Sequence, residues 1–267
     1  MAPPFATVPG EPSSPCVLHV PHASRRIPAA VRAGLLLDDH ALGLELAAMT
    51  DAHTDLIAAG AADHVTGPRP WAFVNGLSRL VVDPERFPDE REVMNTVGMG
   101  AVYTRTSSGA PLREDDPEQR AELISTVFEP YASALADLVD ARIKTAGSAV
   151  IIDVHSYPLR PKPYELYPAE ARPPICIGTD DTHTPPWLRA AARDAFSSRW
   201  EVAFDGPFRG TYVPLRHYGL DARVTSVMLE IRRDVFVGAD GGPMPEAVHR
   251  LSAATAELVD AITNRQR

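Results

Sequence analysis

Apolar runs that stop at turn-forming residues dominate the chain and predict buried strands. The clearest run covers residues 150–156, where aliphatic side chains surround Asp153 and His155. A continuous apolar run of this length is typical of a strand that is buried on both faces of a sheet. Residues 16–20 form a shorter run of the same kind. Each run places a histidine near the carboxyl end of a predicted strand.

The rest of the pattern alternates predicted strands with predicted helices. Helices are predicted over residues 27–59, 117–145, 186–199 and 245–263, and strands with their turns over residues 80–82, 175–181, 201–204 and 224–231. This alternation predicts an α/β fold with a mostly parallel or mixed sheet flanked by helices. Residues 84–117 have no sustained hydrophobic period, which predicts a long connection without regular structure. A connection of this length inside a compact domain predicts a lid or a wall of a site.

No repeat or break in composition marks a second domain. Residues 16–267 are therefore predicted to form a single α/β domain, preceded by a flexible, Pro-rich segment at residues 1–15. That segment lacks the basic and apolar regions of a signal peptide. No apolar run approaches the length of a membrane span. These features predict a cytoplasmic protein.

Charge and cysteine content narrow the class of protein. The chain has 267 residues, of which 45% are hydrophobic, with a formal net charge of -9 and a pI near 5.5. An acidic balance argues against a general binder of nucleic acid or of anionic membranes. Cys16 and Cys176 both lie in apolar runs, which indicates buried free thiols and not a disulfide.

The histidines at the strand ends suggest a metal site. Ligands of open α/β sheets bind beyond the carboxyl ends of the strands, where His19 and His155 are predicted to lie. Asp153 points to the same side as His155, because side chains alternate along a strand. A catalytic zinc takes three protein ligands and keeps one open position. The alternative is a strand-end histidine capped by a neighbouring carboxylate.

Other carboxylates are candidates for the same chemistry. Asp51 and Asp55 would share one face of a helix, although a helix cap and a solvated side chain explain them equally well. Glu230 ends an apolar strand, where an unpaired carboxylate is costly to bury. It is either an acid–base group beside a metal or the partner of an arginine such as Arg232.

Four arginines are predicted to lie in loops near strand ends. Arg79, Arg86, Arg209 and Arg216 could each meet a carboxylate with paired hydrogen bonds, since the guanidinium group is a planar fork. Several of them around one pocket would suit an acidic substrate. The alternative for each is a solvated place on the surface.

Seven short motifs, collinear over residues 17–236, resemble those of the N-formylglutamate amidohydrolases. They are His19-Val20-Pro21-His22-Ala23-Ser24, Thr50-Asp51 with Asp55, Ser78-Arg79 with Asp83 and Arg86, Asp153-Val154-His155-Ser156, Phe208-Arg209-Gly210-Thr211-Tyr212, Arg216-His217-Tyr218-Gly219 and Leu229-Glu230. Each motif is short, but the ordered set is specific. The resemblance implies a phosphorylase/hydrolase-like domain related to zinc carboxypeptidases and aspartoacylase-like deacylases.

The resemblance also implies a metal, expected to be zinc, on His22 and His155, with Glu230 as the general base. Carboxypeptidase-like sites take a carboxylate three residues after the first histidine, but Arg25 occupies that position. Asp51 is therefore our choice of third ligand, with Asp55 and Asp153 as alternatives.

Two further features depart from the family pattern. Residues 83–86 read Asp-Pro-Glu-Arg where family members read Asp-Leu-Asn-Arg, and the loop 157–173 is particular to this sequence. Both departures leave the identity of the acyl-amino acid open.

The resemblance implies an amidohydrolase that cleaves N-formyl-L-glutamate or another N-acyl amino acid, as in histidine degradation. Arg79, Arg209, Arg216 and Tyr218 are the predicted substrate contacts. Two alternatives stay open. One is a carboxylate-binding protein whose hydrolase site has decayed, and the other is a deacylase or peptidase for a different N-acyl amino acid or short peptide.

Overall fold

A seven-stranded mixed sheet forms the centre of the protein in the computed structural model, which describes residues 4–265. The strands are β1 Phe5–Val8, β2 Cys16–Val20, β3 Trp71–Asn75, β4 Ala149–Tyr157, β5 Ile175–Gly178, β6 Val202–Phe204 and β7 Val224–Arg232. Their order across the sheet is β1-β3-β2-β4-β7-β5-β6. The four central strands β3, β2, β4 and β7 are parallel, whereas β1 and β5 pair antiparallel with β3 and β7. The predicted single α/β domain with a mixed sheet is confirmed.

The described residues contain seven α-helices. They are α1 Ala29–Arg32, α2 Asp39–Met49, α3 Thr54–His64, α4 Pro117–Leu123, α5 Glu129–Ala146, α6 Pro186–Ser197 and α7 Pro245–Arg265. Of these, α3, α5, α6 and α7 pack against the sheet. A π-helical turn at Ile124–Phe128 joins α4 to α5, and short 3-10 turns lie at Val93–Val97 and Arg233–Val235. No helix within residues 4–265 is both long and apolar enough to cross a membrane.

Two apolar layers lie on opposite faces of the sheet. Ile152 and its alternate neighbours pack against α3, α6 and α7, whereas Ile151 packs against α5. Since side chains alternate along a strand, Asp153 and His155 project to the same face as Ile151. The polar residues at the carboxyl end of β4 therefore lie on the α5 face.

Two predicted elements near the middle of the chain need correction. Residues 80–82 form a turn and not a strand; the strand here is β3 at Trp71–Asn75. Leu80 and Val81 are fully buried. A buried turn and a buried strand both require apolar residues, so the sequence pattern of the two is the same. The predicted helix 27–59 is three helices, because the helical backbone is interrupted twice: between Arg32 and Asp39, where Asp38 is extended, and after Met49, where Thr50 is extended.

The first residues also differ from expectation. Residues 1–15 were predicted to be a flexible segment. Residues 1–3 lie outside the described part of the chain, and within residues 4–15 β1 pairs antiparallel with β3 from Phe5 opposite Asn75. Phe5 stacks on Phe73 with ring centroids 5.2 Å apart and meets the edge of Tyr131 at 5.8 Å. One aromatic anchor therefore holds a short edge strand, which is too short to show a period in the sequence.

The cysteines agree with the sequence analysis. Cys16 and Cys176 are buried and free. Burial raises the pKa of each thiol to about 12. Both thiols therefore stay protonated and unreactive near neutral pH.

Phe5→Ala is expected to lower the free energy of unfolding by about 1–3 kcal/mol, because the ring contacts on Phe73 and Tyr131 are lost. Val8→Ala on the same strand is the matched control; its side chain is 43% exposed, so the change should stay within about 0.5 kcal/mol. Urea unfolding of the two variants measures the difference. Equal stability of both variants and the wild type would show that β1 is not held to the sheet.

Candidate active site

The polar side chains converge at the carboxyl ends of the central parallel strands. His19 on β2 lies opposite Asp153 on β4, and His155 on β4 lies opposite Glu230 on β7. His22 follows the end of β2, and its backbone carbonyl accepts a hydrogen bond from the backbone N–H of Asp51 at 3.0 Å. This bond brings the segment between α2 and α3 to the end of the sheet.

Three donor atoms meet at one point of this edge. Nδ1 of His155 lies 3.0 Å from Oδ2 of Asp51 and 3.3 Å from Nδ1 of His22. The third side of the triangle, from His22 Nδ1 to Asp51 Oδ2, is 3.6 Å. Zinc bonds of about 2.0–2.2 Å in a tetrahedral site place ligand atoms at separations of about 3.3 Å. The geometry of His22, Asp51 and His155 thus fits a divalent metal ion.

Glu85 offers a second donor set on the other side of the two imidazole rings. Its Oε2 lies 3.3 Å from Nε2 of His155 and 3.6 Å from Nε2 of His22, and these atoms form a compact group. However, Nε2 of His22 already bonds to Asp83 at 2.9 Å. Metal-bound histidines usually make such a hydrogen bond with the nitrogen that faces away from the metal. This bond favours the set with Asp51 over the set with Glu85.

Asp83 is the central acceptor of a buried network. Its carboxylate accepts bonds from Arg79 Nη2 at 2.7 Å, from the Tyr103 hydroxyl at 2.5 Å and from the Glu85 backbone N–H at 3.2 Å. Burial alone would raise the pKa of Asp83, but Arg79 and His22 hold it well below its usual range. Asp83 therefore stays a carboxylate and fixes both Arg79 and His22.

Two members of the triangle itself, Asp51 and His155, also have shifted pKa values. Burial would raise the pKa of Asp51, yet the hydrogen bonds to His155 and His22 hold it below its ordinary value. Burial would lower the pKa of His155, but Asp153 and Glu85 raise it well above its ordinary value. Within this cluster each imidazole ring is surrounded by carboxylates.

Glu230 differs from these acids because one of its carboxyl oxygens accepts no hydrogen bond from the described part of the chain. Its side chain is buried, and its Oε2 has no hydrogen-bond partner among residues 4–265. Burial raises the pKa of this carboxyl to about 8. Arg232, the partner suggested by the sequence, instead pairs with Asp234. A buried carboxyl group with such a raised pKa is a candidate for a functional group.

A cavity of about 380 Å³ opens above these groups. Arg79 and Arg209, two of the predicted substrate contacts, line it, and so do Arg86 and Arg233. Residues 85–87 and 91–93 form one wall, so the long connection after β3 contributes to the site as predicted. Arg86 lies 3.6 Å from the Asp83 carboxylate.

The other two predicted contacts lie elsewhere. Arg216 is exposed and pairs with Asp137 and Asp140 on α5, at 2.7 and 2.6 Å. Tyr218 is 41% exposed and stacks on His183, outside the cavity. The acidic surface of α5 attracts Arg216, and no local pattern around residue 216 reveals that surface.

The alternative metal ligands are placed differently from Asp51. Asp55 is exposed on the first turn of α3 and lies outside the cavity. Asp153 is buried, but its Oδ1 bonds to Nδ1 of His19 at 2.9 Å. Its Oδ2 lies 3.1 Å from Nε2 of His155, the nitrogen that faces away from Asp51. Asp153 therefore lies behind the ring of His155.

Glu85 and Arg233, two charged cavity residues close to the donor atoms, were not identified as site residues from the sequence. Glu85 appeared only as a departure from the family motif, although an acidic side chain two residues after Asp83 was the available signal. Arg233 follows the last strand, and its Nη2 lies 3.3 Å from Oδ1 of Asp51. Its sequence signal was weak, because Arg232 beside it is an equally good candidate.

Comparisons with known proteins agree with this geometry. Residues 14–237 match the family model of N-formylglutamate amidohydrolase. An N-formylglutamate deformylase of Pseudomonas aeruginosa is 27% identical over 241 residues, which cover 84% of this chain and 82% of the relative. One of Pseudomonas putida is 25% identical over 231 residues, with the same coverage of both chains.

Solved structures share the fold. An N-formylglutamate amidohydrolase from Ralstonia eutropha superimposes with a TM-score of 0.77 at 19% identity, over 98% of both chains. A protein of Agrobacterium tumefaciens gives a TM-score of 0.70 at 18% identity, over 98% of this chain and 96% of the other. The fold and the family model together define a hydrolase. The chain belongs to the N-formylglutamate amidohydrolase family, as its motifs suggested.

Asp83→Asn is expected to lower the free energy of unfolding by about 3–5 kcal/mol, because the part-buried Arg79 loses the fully buried carboxylate that balances its charge. Asp63→Asn is the control, since its pair with Arg69 is exposed and contributes about 0–1 kcal/mol. Urea unfolding at neutral pH measures both. A similar small loss in the two variants would contradict the central role of Asp83.

Proposed function

We propose that the protein is a metal-dependent amidohydrolase of N-acyl amino acids, with N-formyl-L-glutamate as its best candidate substrate. The observation that carries this proposal is the triangle of His22, Asp51 and His155 beside an unpaired buried Glu230. Family membership and the names of the two Pseudomonas relatives support the choice of substrate. The products would be formate and glutamate.

His22, Asp51 and His155 would hold one divalent metal, with zinc as the candidate. Two imidazoles and one carboxylate form a donor set that catalytic zinc uses, and they leave a position open. When bound, zinc supplies Lewis acidity toward a carbonyl group and toward water. Asp83 accepts from the far nitrogen of His22, and Arg233 lies beside Asp51. These contacts orient two of the ligands.

Glu230 would move the proton. As a carboxylate it accepts a proton from the water that attacks the amide carbon. It then gives this proton to the departing nitrogen as the C–N bond breaks, so that glutamate leaves with a neutral or protonated amine. Its raised pKa, near 8, suits a group that must both take and release a proton near neutral pH.

Arg79 and Arg209 would hold the two carboxylates of the substrate. Asp83 fixes Arg79 deep in the cavity, whereas Arg209 lies at the rim, where it pairs with Glu170 and lies over the ring of Tyr167. Arg86 and Arg233 add positive charge to the same cavity. A dianionic substrate would be attracted by this set of cations.

Purified protein supplied with zinc is expected to hydrolyse N-formyl-L-glutamate, which an assay for released formate measures. Glu230→Gln keeps the size of the side chain but removes its basicity, so kcat should fall by about 100-fold or more. Zinc content should stay that of the wild type. Thermal stabilisation by the substrate without release of formate would instead indicate a carboxylate-binding protein.

Metal analysis tests the ligand set. His22→Ala, Asp51→Ala and His155→Ala should each lose stoichiometric zinc, because each removes one of three protein ligands. Glu85→Gln should retain zinc, since its oxygen competes with Asp83 for the far side of His22. Retention of zinc by Asp51→Ala together with its loss in Glu85→Gln would exchange the roles of the two carboxylates.

Charge-conserving variants test the substrate contacts. Arg79→Lys and Arg209→Lys should lower kcat/KM for N-formyl-L-glutamate by about tenfold or more, because lysine keeps the charge but loses the paired hydrogen bonds. Arg216→Lys is the matched control and should have no effect. N-formyl-L-glutamine has only one carboxylate. On this substrate, the variant of whichever arginine contacts the side-chain carboxylate of glutamate should have the same kcat/KM as the wild type. Equal losses in all three variants would rule out a selective role for these arginines.

A further inference from the structure

The loop between β4 and β5, residues 158–174, is closed on itself by one buried ion pair. Glu165 accepts two hydrogen bonds from Arg172, at 2.5 and 3.3 Å, and the two side chains are only 3% and 8% exposed. Arg172 also donates to the backbone carbonyl of Pro158 at 2.8 Å. Paired, charge-assisted bonds of this kind are both strong and directional. The ion pair therefore ties the two ends of the loop to its middle.

Tyr164 lies in a tight turn next to this ion pair. The backbone N–H of Glu165 donates to the carbonyl of Lys162 at 3.0 Å, and the backbone N–H of Lys162 donates to Oε1 of Glu165 at 2.9 Å. The ring of Tyr164 packs against the apolar cluster that contains Leu42 and Met49. The backbone of the turn and the packing of the ring together hold the position of this side chain.

The hydroxyl group of Tyr164 is available to a ligand. The side chain lines the cavity of the candidate site, and no group within residues 4–265 forms a hydrogen bond with its hydroxyl. Burial raises the pKa of this hydroxyl and outweighs the opposite effect of Arg79 and Arg86, which line the same cavity. The hydroxyl therefore keeps its proton near neutral pH and can donate a hydrogen bond.

A carboxylate held by Arg79 would have room for this donor. A carboxylate offers about four lone-pair positions, of which one guanidinium group fills at most two. Arg79 cannot move toward a ligand, because its Nε and Nη2 are bonded to Asp83 at 3.2 and 2.7 Å. A second fixed donor in the same cavity would add a bond to the ligand without adding charge.

We propose that Tyr164 is a specificity-determining residue, whose hydroxyl donates to the same substrate carboxylate that Arg79 holds. This inference deepens the proposed function and rests on its assignment of Arg79 as a substrate contact. Tyr164 belongs to the segment 157–173, one of the two departures from the family pattern. The contact gives that segment a role in choosing the substrate, and it gives the buried ion pair beside Tyr164 a reason to keep the loop in one conformation.

Binding of N-formyl-L-glutamate tests the proposal without relying on turnover. Calorimetric titration of zinc-loaded Glu230→Gln protein measures the affinity while hydrolysis is blocked. Tyr164→Phe in this background removes only the hydroxyl and should weaken binding by about 10–100-fold, since the lost bond is to a charged group. Leu166→Ala is the control on the same loop, because its side chain is 53% exposed and lies outside the cavity. Its affinity should match that of the background protein.

Two analogues identify the carboxylate. N-formyl-L-glutamine lacks the side-chain carboxylate, and 4-formamidobutanoate lacks the α-carboxylate. Tyr164→Phe and Arg79→Lys should lose their effect on the same one of these two ligands, because both residues would contact the same group. The double variant should also bind N-formyl-L-glutamate more tightly than independent losses predict, since groups that share a ligand atom are not additive.

Unchanged affinity in Tyr164→Phe, or an equal loss on all three ligands, would overturn the proposal. The proposed function fails in a different way. A wild type that binds N-formyl-L-glutamate without releasing formate would defeat the proposed reaction, whereas the effect of Tyr164→Phe on binding would still be measured. Hydrolysis by the wild type together with an unchanged kcat/KM in Tyr164→Phe would leave the proposed function in place and remove the role of Tyr164.

Discussion

The register of three parallel strands is the constraint on which the site depends. Side chains alternate across a sheet, so a slip of one residue would carry every polar group of that strand to the opposite layer. His19 on β2, Asp153 and His155 on β4, and Glu230 on β7 project to the α5 face because their strands pair in the observed register. The apolar residues between them fill the opposite layer. Packing of the core thus sets the geometry of the site.

Many ionisable groups are buried at the carboxyl edge of the sheet, because carboxylates and cationic side chains lie against one another and neutralise each other's charge. Asp51 and Asp83 keep pKa values below the ordinary range, because histidines or an arginine lie against them. Glu230 is the exception, since burial dominates there and raises its pKa to about 8. Two kinds of carboxylate therefore occur side by side. One kind is ionised and holds its neighbours in place, and the other has a pKa near neutral.

The sequence predicted those elements and residues that are recognisable from a short stretch of neighbouring residues. The apolar runs predicted the central strands, and strand-end position with motif order pointed to His22 and Glu230, which both line the cavity. Residues 80–82 were misread, because burial in a turn produces the same apolar pattern as a strand. Arg216 was misplaced, because the acidic side chains that attract it lie on a distant helix. The closeness of Glu85 to two histidines depends on turn geometry, which no periodicity encodes.

The groups of the site are far apart along the chain. His22 and His155 are separated by 133 residues, and Asp51 and His155 by 104. Contacts between such distant segments form only when the intervening chain has found its place, because closing long loops costs conformational entropy. An unfinished or cleaved chain would therefore lack the whole constellation at once. In this protein the candidate site can therefore form only when the sheet is complete.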